Sequence, residues 1–389
     1  MPIPASRLTT LPPYPFAVLN QRVREIQRAG RDIIRLDIGS PDMPPPAQVV
    51  DALDGSVRRA DRHGYAGYKG TADFREAIAG YYQQRFGVTL DPETEVLPLL
   101  GSKEGIVNLA LAYIGAGDLA LVPDISYPSY AVGAHLGGGG SVLFPVDPAQ
   151  GYLPDFASIP AADADRAKLL WVNYPNNPTG ATADVAFYQR AVDFARRHDL
   201  ILASDNPYVD VTFDGFVAPS ALQAEGAKET TVEFMSFSKT YNMAGWRLGA
   251  AVGNANALKN LLLVKSNVDS GHFHAIYDAG IVALHTPQAW IDERNRIYQA
   301  RRDRILAALP EIGLAGFRPL GSLYVWARAV EGDGASYCER ALEATSVVLA
   351  PGLIYGDAGN NYIRISIGMD DAHIDEALQR LKVWYAKEH

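Results

Sequence analysis

The sequence predicts an α/β protein with a large domain, built on a mostly parallel sheet between helices, and a smaller α+β domain. Three observations predict it. Short, continuously apolar runs alternate with stretches of helical periodicity, and strands apolar on both faces belong to parallel sheets covered by helices on both sides. The chain has 389 residues, 48% of them hydrophobic, which is more than one simple core usually organises. After about residue 285 the texture changes from alternating short runs to a long charged helical stretch followed by separated β-rich runs.

The elements follow in order. Residues 16–29 (FAVLNQRVREIQRA) read as an amphipathic helix stopped by Gly30, and 103–114 (KEGIVNLALAYI) as a second helix opened by Gly101 and Ser102. Strands are expected at 119–124 (LALVPD), 168–174 (KLLWVNY), 200–205 (LILASD), 231–237 (TVEFMSF) and 248–253 (LGAAVG), with a helix at 185–198 between two of them. Gly137–Gly140 is the densest glycine run. It precedes a strand-like SVLFPV instead of following a strand, so it reads as a turn and not as a phosphate loop. Beyond residue 285, a helix at 290–308 leads to LYVWARA, VVLAPG, YIRISIG and a terminal helix. The division expected is 1–44 as an N-terminal segment packing with the small domain, 45–285 as the large domain and 286–389 as the small one.

A formal net charge of −9 gives no electrostatic reason to bind nucleic acid or an anionic membrane. Arg58, Arg59 and Arg62 lie beside Asp54 and Asp61 and read as a solvated helix face. One cysteine, Cys338, permits no intrachain disulfide. The N-terminus lacks the basic start and apolar run of a signal peptide, and no apolar run reaches the ~20 residues of a membrane span, so a cytoplasmic protein is expected. The eight histidines show no metal-ligand spacing such as HExxH, and no metal is expected.

In α/β sheets reacting groups gather at the carboxyl ends of strands, and four polar clusters sit at such places: Asn173–Pro178, Asp205–Tyr208, Ser236–Lys239 and Gly101–Lys103. Each alone is weak, since a lysine after a strand is usually a surface residue and an aspartate there usually a cap. Together they describe a site for one cofactor. A lysine that forms an imine must shed its proton near neutral pH, and Lys239 follows an apolar run. Arg247, Ser236, Ser238 and the open helix start at Ser102 and Lys103 suit a phosphate. Asp205 is the candidate carboxylate for a pyridine nitrogen. Asn177 and Tyr208 suit the ring hydroxyl, and Tyr127 suits the aromatic face.

The long motifs SFSKTYNMAGWRLGAAVGN, NYPNNPTGA, ASDNPYVDVTFDG, YAGYKGTADFREAI and NYIRISIG resemble those of the class I and II pyridoxal-phosphate aminotransferases, in that family's order, from about residue 14 to the C-terminus. The resemblance implies an aspartate-aminotransferase-like fold. It implies that Lys239 carries the cofactor as a Schiff base and shuttles the α-proton, with Asp205 as pyridinium partner, Asn177 and Tyr208 as ring-oxygen contacts and Tyr127 as stacking aromatic. Ser102, Lys103, Ser236, Ser238 and Arg247 are the implied phosphate ligands. Tyr65 resembles the tyrosine that reaches the phosphate of a neighbouring subunit, implying a homodimer with shared sites, although Tyr68 is close enough in sequence to take that part. Arg364 resembles the arginine that grips the substrate α-carboxylate, and Gly39 a backbone contact to it. The bland readings are a plain strand arginine for Arg364 and a surface lysine for Lys103.

The implied reaction is a ping-pong exchange of an amino group between an L-amino acid and a 2-oxo acid. The stretches GSKEGIVNLALAY, VKSNVDSGHF and YPFAVLNQRV are most similar to LL-diaminopimelate aminotransferases, which implies LL-diaminopimelate with 2-oxoglutarate as the pair. Tyr14, Lys103, Tyr127, Asn177 and the 267–274 stretch are then the positions for the substrate, and His272 and His274 depart from the commoner pattern there. Other readings are another alanine-, aspartate- or glutamate-linked aminotransferase and a pyridoxal-phosphate C–S lyase. A regulatory aminotransferase-like domain would carry a DNA-binding segment, and a sugar-phosphate-binding α/β protein would leave the lysine unexplained.

Overall fold

A computed structural model describes residues 2–11 and 13–389. Met1 and Pro12, in the segment expected to pack with the small domain, lie outside the described residues. The main sheet has seven strands in the order Val96–Leu99, Gly249–Gly253, Thr231–Ser236, Ile201–Asp205, Ala167–Val172, Leu119–Pro123, Gly140–Phe144. Gly249–Gly253 runs antiparallel to both neighbours, and every other pairing is parallel.

All five expected strands of this sheet form, and the glycine run is a turn between the helix Ser129–Gly137 and its last strand, with Gly138 in the left-handed region. Two things differ from the sequence reading. Val96–Leu99 was not expected, because Pro98 interrupts its apolar run, but it is an edge strand, where a missing N–H is tolerated. The 248–253 run forms a strand, but an antiparallel one, since the chain reverses directly at 237–247 with no full crossover helix.

Helices cover the sheet because their apolar stripes match its faces. In Val185–Arg197, Asp184 caps the N-terminus by accepting from the Phe187 amide (2.7 Å), and Phe187, Tyr188, Ala191, Val192, Phe194 and Ala195 are buried. Capping of this kind stabilises by about 1 kcal/mol. Trp171, in a central strand, is sandwiched between Tyr130 (centroids 4.6 Å, 7° between planes) and Phe234 (5.9 Å, 25°). This stack matters for the site, because it fixes Tyr130.

A second, antiparallel sheet has the order Leu314–Gly316, Tyr324–Ala329, Tyr362–Ser366, Ala350–Pro351. The helices Gln288–Ala308 and Asp371–Glu388 pack on it with Tyr298, Ile305, Ile374, Leu381 and Trp384 buried. The VVLAPG run splits into two short strands. Val347–Val348 pairs in parallel with Ile34–Arg35, and the helix Pro15–Arg28 buries Val23 and Ile26 against Leu342 and Val348. The chain from residue 15 to 36 therefore lies against the second sheet, and Asp37 reaches the site from that side. Among the described residues, no helix is long and apolar enough to cross a membrane.

Candidate active site

A cavity of about 430 Å³ opens where the carboxyl ends of the main strands face the second sheet. Tyr14, Gly39, Ser102, Lys103, Tyr127, Asn177, Asp205, Tyr208, Ser236, Ser238, Lys239, Arg247 and Arg364 all line it. Residues from position 14 to 364 thus meet in one place. Tyr65 does not line it; its side chain is 90% exposed, and Tyr68 is exposed as well.

Lys239 sits on a single helical turn, Phe237–Thr240, directly after the strand Thr231–Ser236. Its Nζ donates to the Gly39 carbonyl. Desolvation, with the Arg364 and Arg247 guanidinium groups adding repulsion, lowers its pKa to about 7. An amine in that state is half deprotonated at neutral pH and able to act as a nucleophile or a base.

Asp205 is the last residue of its strand and is buried. Tyr130 donates to Oδ2 (2.7 Å), while Oδ1 is enclosed with no hydrogen-bond partner. Burial raises this carboxyl to about 7 against the lowering effect of Tyr130. A buried acceptor without a donor is costly, so Oδ1 is suited to accept from a cationic N–H. Asn173 braces this edge: its Nδ2 donates to the Asp205 carbonyl (2.6 Å), and its Oδ1 accepts from the Asn177 amide (2.8 Å).

A corner of open amides and a guanidinium lies at the other end. Gly101 has φ 81° and precedes the helix Ser102–Tyr113, whose first amides have no partner within the helix. Arg247 lies against Gly101 so closely that a Cβ there would overlap the guanidinium. Ser236 and Ser238 complete the wall, with the Ser238 amide donating to Ser236 Oγ (3.3 Å). Gly249 lets its strand approach the Ser102 amide, since a Cβ would come within 3.0 Å of that nitrogen.

Arg364 stands opposite, on the strand Tyr362–Ser366 of the second sheet. Nη1 donates to Asn177 Oδ1 (2.8 Å), Nη2 to the Asp37 carbonyl (2.6 Å), and Nε is buried without a partner. Its guanidinium lies 4.0 Å from the Tyr324 ring centroid and 5.0 Å from that of Tyr355. A buried guanidinium with a free N–H is a ready fork for a carboxylate. Lys103 lies over the Tyr14 ring at 4.5 Å and is 5.9 Å from the Tyr127 centroid.

Several cavity residues escaped the sequence reading. The Tyr324 hydroxyl hydrogen-bonds that of Tyr208 (2.8 Å) and occupies the space a Cβ on Gly39 would need, which explains why that position is glycine. Arg35 holds Asp37 through two bonds of 2.6 Å and reaches Asn20 Oδ1 (2.7 Å), and all three line the cavity. Asp37 lies two residues before Gly39 in the stretch LDIGSPD, whose apolar–polar alternation was the available signal. Nothing local marks Tyr324 or Tyr130, which read as core aromatics. His272 and His274 do not line the cavity, nor does any residue from 267 to 274. Among the described residues, no group of three or more His, Cys, Asp or Glu side chains is placed to hold a metal ion.

Taken together, the cavity offers an amine of lowered pKa, a buried carboxyl with one unpartnered oxygen, a helix start beside Arg247 and a guanidinium with a free N–H. The model of the family described as "Aminotransferase class I and II" matches residues 31–381. The chain is 46% identical over 379 residues to the LL-diaminopimelate aminotransferase of Moorella thermoacetica, covering 97% of each. The substrate-bound BacF structure from Bacillus subtilis superposes with a TM-score of 0.94 at 36% identity, over 99% of this chain and 98% of that one. A probable N-succinyldiaminopimelate aminotransferase from Thermus thermophilus gives 0.89 at 38% identity, over 95% and 99%. Fold, motifs and near-complete matching agree: the chain belongs to the class I and II aminotransferase family.

Proposed function

We propose that this aminotransferase uses pyridoxal phosphate, held covalently at Lys239, and exchanges the amino group of LL-diaminopimelate with 2-oxoglutarate. Members of the family and its fold are pyridoxal-phosphate enzymes in general. The observation that carries the cofactor reading is the unpaired, buried Oδ1 of Asp205 in the same cavity as an amine titrating near 7. The residues present fit the group: Asp205 for the ring nitrogen, Asn177 and Tyr208 for the ring oxygen, Tyr127 for the ring face. Ser102, Lys103, Ser236, Ser238 and Arg247 serve the phosphate. Once bound, the cofactor supplies an aldehyde for Nζ and a protonated ring that takes up the electron pair left at the substrate α-carbon.

The chain's own residues do the rest. Arg364 takes the α-carboxylate in its fork, giving up Asn177 or the Asp37 carbonyl in exchange, with the Gly39 backbone beside it. This clamp orients the bond to be broken. Lys239 Nζ would hold and move the α-proton of the bound amino acid, a role suited to a base near pH 7. The aromatic walls of Phe16, Tyr127 and Tyr324 limit water around that proton.

The name of the Moorella relative supports LL-diaminopimelate as donor, and the diaminopimelate skeleton recurs in the name of the Thermus structure. A second amino-acid head needs both charge signs answered. Lys103 and Arg35 suit its carboxylate, and Tyr14 and Asn20 suit its ammonium, all on the cavity wall. We also propose a cytoplasmic homodimer in which the exposed Tyr65 reaches the partner's phosphate corner.

The test is a panel of amino donors, LL-diaminopimelate included, with 2-oxoglutarate as acceptor. Glutamate should form fastest from LL-diaminopimelate. Arg364→Ala should lower kcat/KM for every donor alike by about 10- to 150-fold, the worth of a charge-assisted bond. Pyruvate released from cystathionine, with no glutamate from any donor, would replace this reading with C–S lyase chemistry.

A further inference from the structure

We propose that His272, which lies behind the cavity wall, is a positioning residue for Arg247, and through it sets how tightly the anion corner holds a phosphate. The inference rests on the role given above to Arg247. Arg247 has φ 56°, in the left-handed region that only a few per cent of non-glycine residues occupy. Its conformation turns the chain between the 3-10 turn Ala244–Trp246 and the strand Gly249–Gly253, and presses the guanidinium against Gly101. One guanidinium bond, Nη1 to the Ala244 carbonyl (2.9 Å), closes the turn from inside. From outside, its carbonyl meets His272 Nε2 at 2.6 Å. A carbonyl only accepts, so the imidazole donates and Nε2 carries the proton.

The histidine is itself held in place. Its amide donates to the Tyr277 hydroxyl (3.1 Å), and its ring stands edge-on to the Tyr277 ring (5.6 Å, 87°). The preceding Gly271 has φ 80°, and its amide donates to Asp269 Oδ1 (2.8 Å). Asp269 pairs with Lys265 (2.8 Å), whose side chain is only 1% exposed, and Lys265 lies 3.6 Å from Glu104. Glu104 Oε2 accepts from the Leu100 amide (3.1 Å), next to Gly101. A Glu104–Lys265–Asp269 chain, centred on the buried Lys265, therefore ties the loop bearing His272 to the helix start that forms the other half of the corner. His272 closes the circuit on Arg247. Desolvation, with Lys265 adding to it, lowers the imidazole pKa against the pull of the Arg247 and Leu99 carbonyls, in keeping with a neutral ring that holds one proton.

The alternative is that the imidazole merely fills space against Tyr277. The two are separated by measuring the affinity of the apo protein for pyridoxal phosphate, for pyridoxal, and for inorganic phosphate by thermal shift. His272→Phe keeps the aromatic packing and loses the donor, whereas His272→Gln keeps an N–H donor at similar reach. His272→Phe should bind pyridoxal phosphate and inorganic phosphate about 3- to 10-fold more weakly, the worth of one neutral hydrogen bond, with pyridoxal unchanged, and His272→Gln should restore both. Unchanged phosphate binding in His272→Phe, an equal loss for pyridoxal, or no recovery in His272→Gln would overturn the inference. His272→Leu repeats the comparison if the phenylalanine variant does not fold. Wild-type protein that binds inorganic phosphate but not pyridoxal phosphate would sink the proposed function, and the phosphate arm would still decide the part played by His272.

Discussion

Lys239→Ala is expected to lower kcat by roughly 10⁴-fold or more, because one amine is both covalent anchor and proton carrier and positioned proton transfer alone contributes up to about that factor. The cofactor should still bind, without a covalent tie, since Arg247, Asp205 and the helix start are untouched. Steady-state transamination and borohydride trapping followed by peptide mapping read the two parts. Near-normal turnover, or an adduct on another lysine, would displace Lys239 from its role. In the wild-type apo protein, capture of a pyridoxal probe should rise with pH through about 7, where burial places this amine. An ordinary lysine would instead titrate near 10. The direction follows from chemistry: only the deprotonated Nζ attacks.

Asp205→Asn is expected to separate catalysis from stability. Turnover should fall by roughly 10²–10³-fold, the cost of losing one preorganised charge at the reacting system. The apo protein should become more stable. The unfolded carboxyl ionises near 3.8 and the folded one near 7, so between those values the unfolded chain has shed a proton that the folded chain keeps. Folding stability from this group is whole below about 4 and is lost as pH rises through about 7. Asparagine imitates the protonated acid and still accepts from Tyr130. The gain at pH 7 and above should be on the order of a few kcal/mol, seen as a higher Tm for the apo variant and absent at pH 4. A lower apo Tm at neutral pH would contradict the burial argument. A site that is costly when empty is one built to receive a cation.

The candidate site was unusually legible in the sequence, because its groups come from strand ends and helix starts where local signals are strong. NYPNNP, DNPY and SFSKT are each polar clusters after an apolar run, and Asn177, Asp205 and Lys239, picked out from that alone, all line the cavity. Ser102 was found from Gly101. Arg364 was found differently: a strand arginine among isoleucines carries no local signal, and only the family resemblance singled it out. Val96–Leu99 was lost to Pro98, and the antiparallel sense of Gly249–Gly253 is invisible in an apolar run, since pairing direction depends on the connection and not on composition.

Residue order and type were enough to specify the strand–helix alternation and to pick out a carboxyl, an amine and a helix start that share one cavity, since each depends on neighbours a few positions away. Folding in three dimensions settled the rest. It set Tyr130 on Asp205 Oδ2 through the Trp171 stack, brought Tyr324 over Gly39 and turned His272 toward the Arg247 carbonyl. Those contacts join positions tens to hundreds of residues apart, and burial from all sides, which no linear pattern encodes, brings both Asp205 and Lys239 to titrate near neutrality.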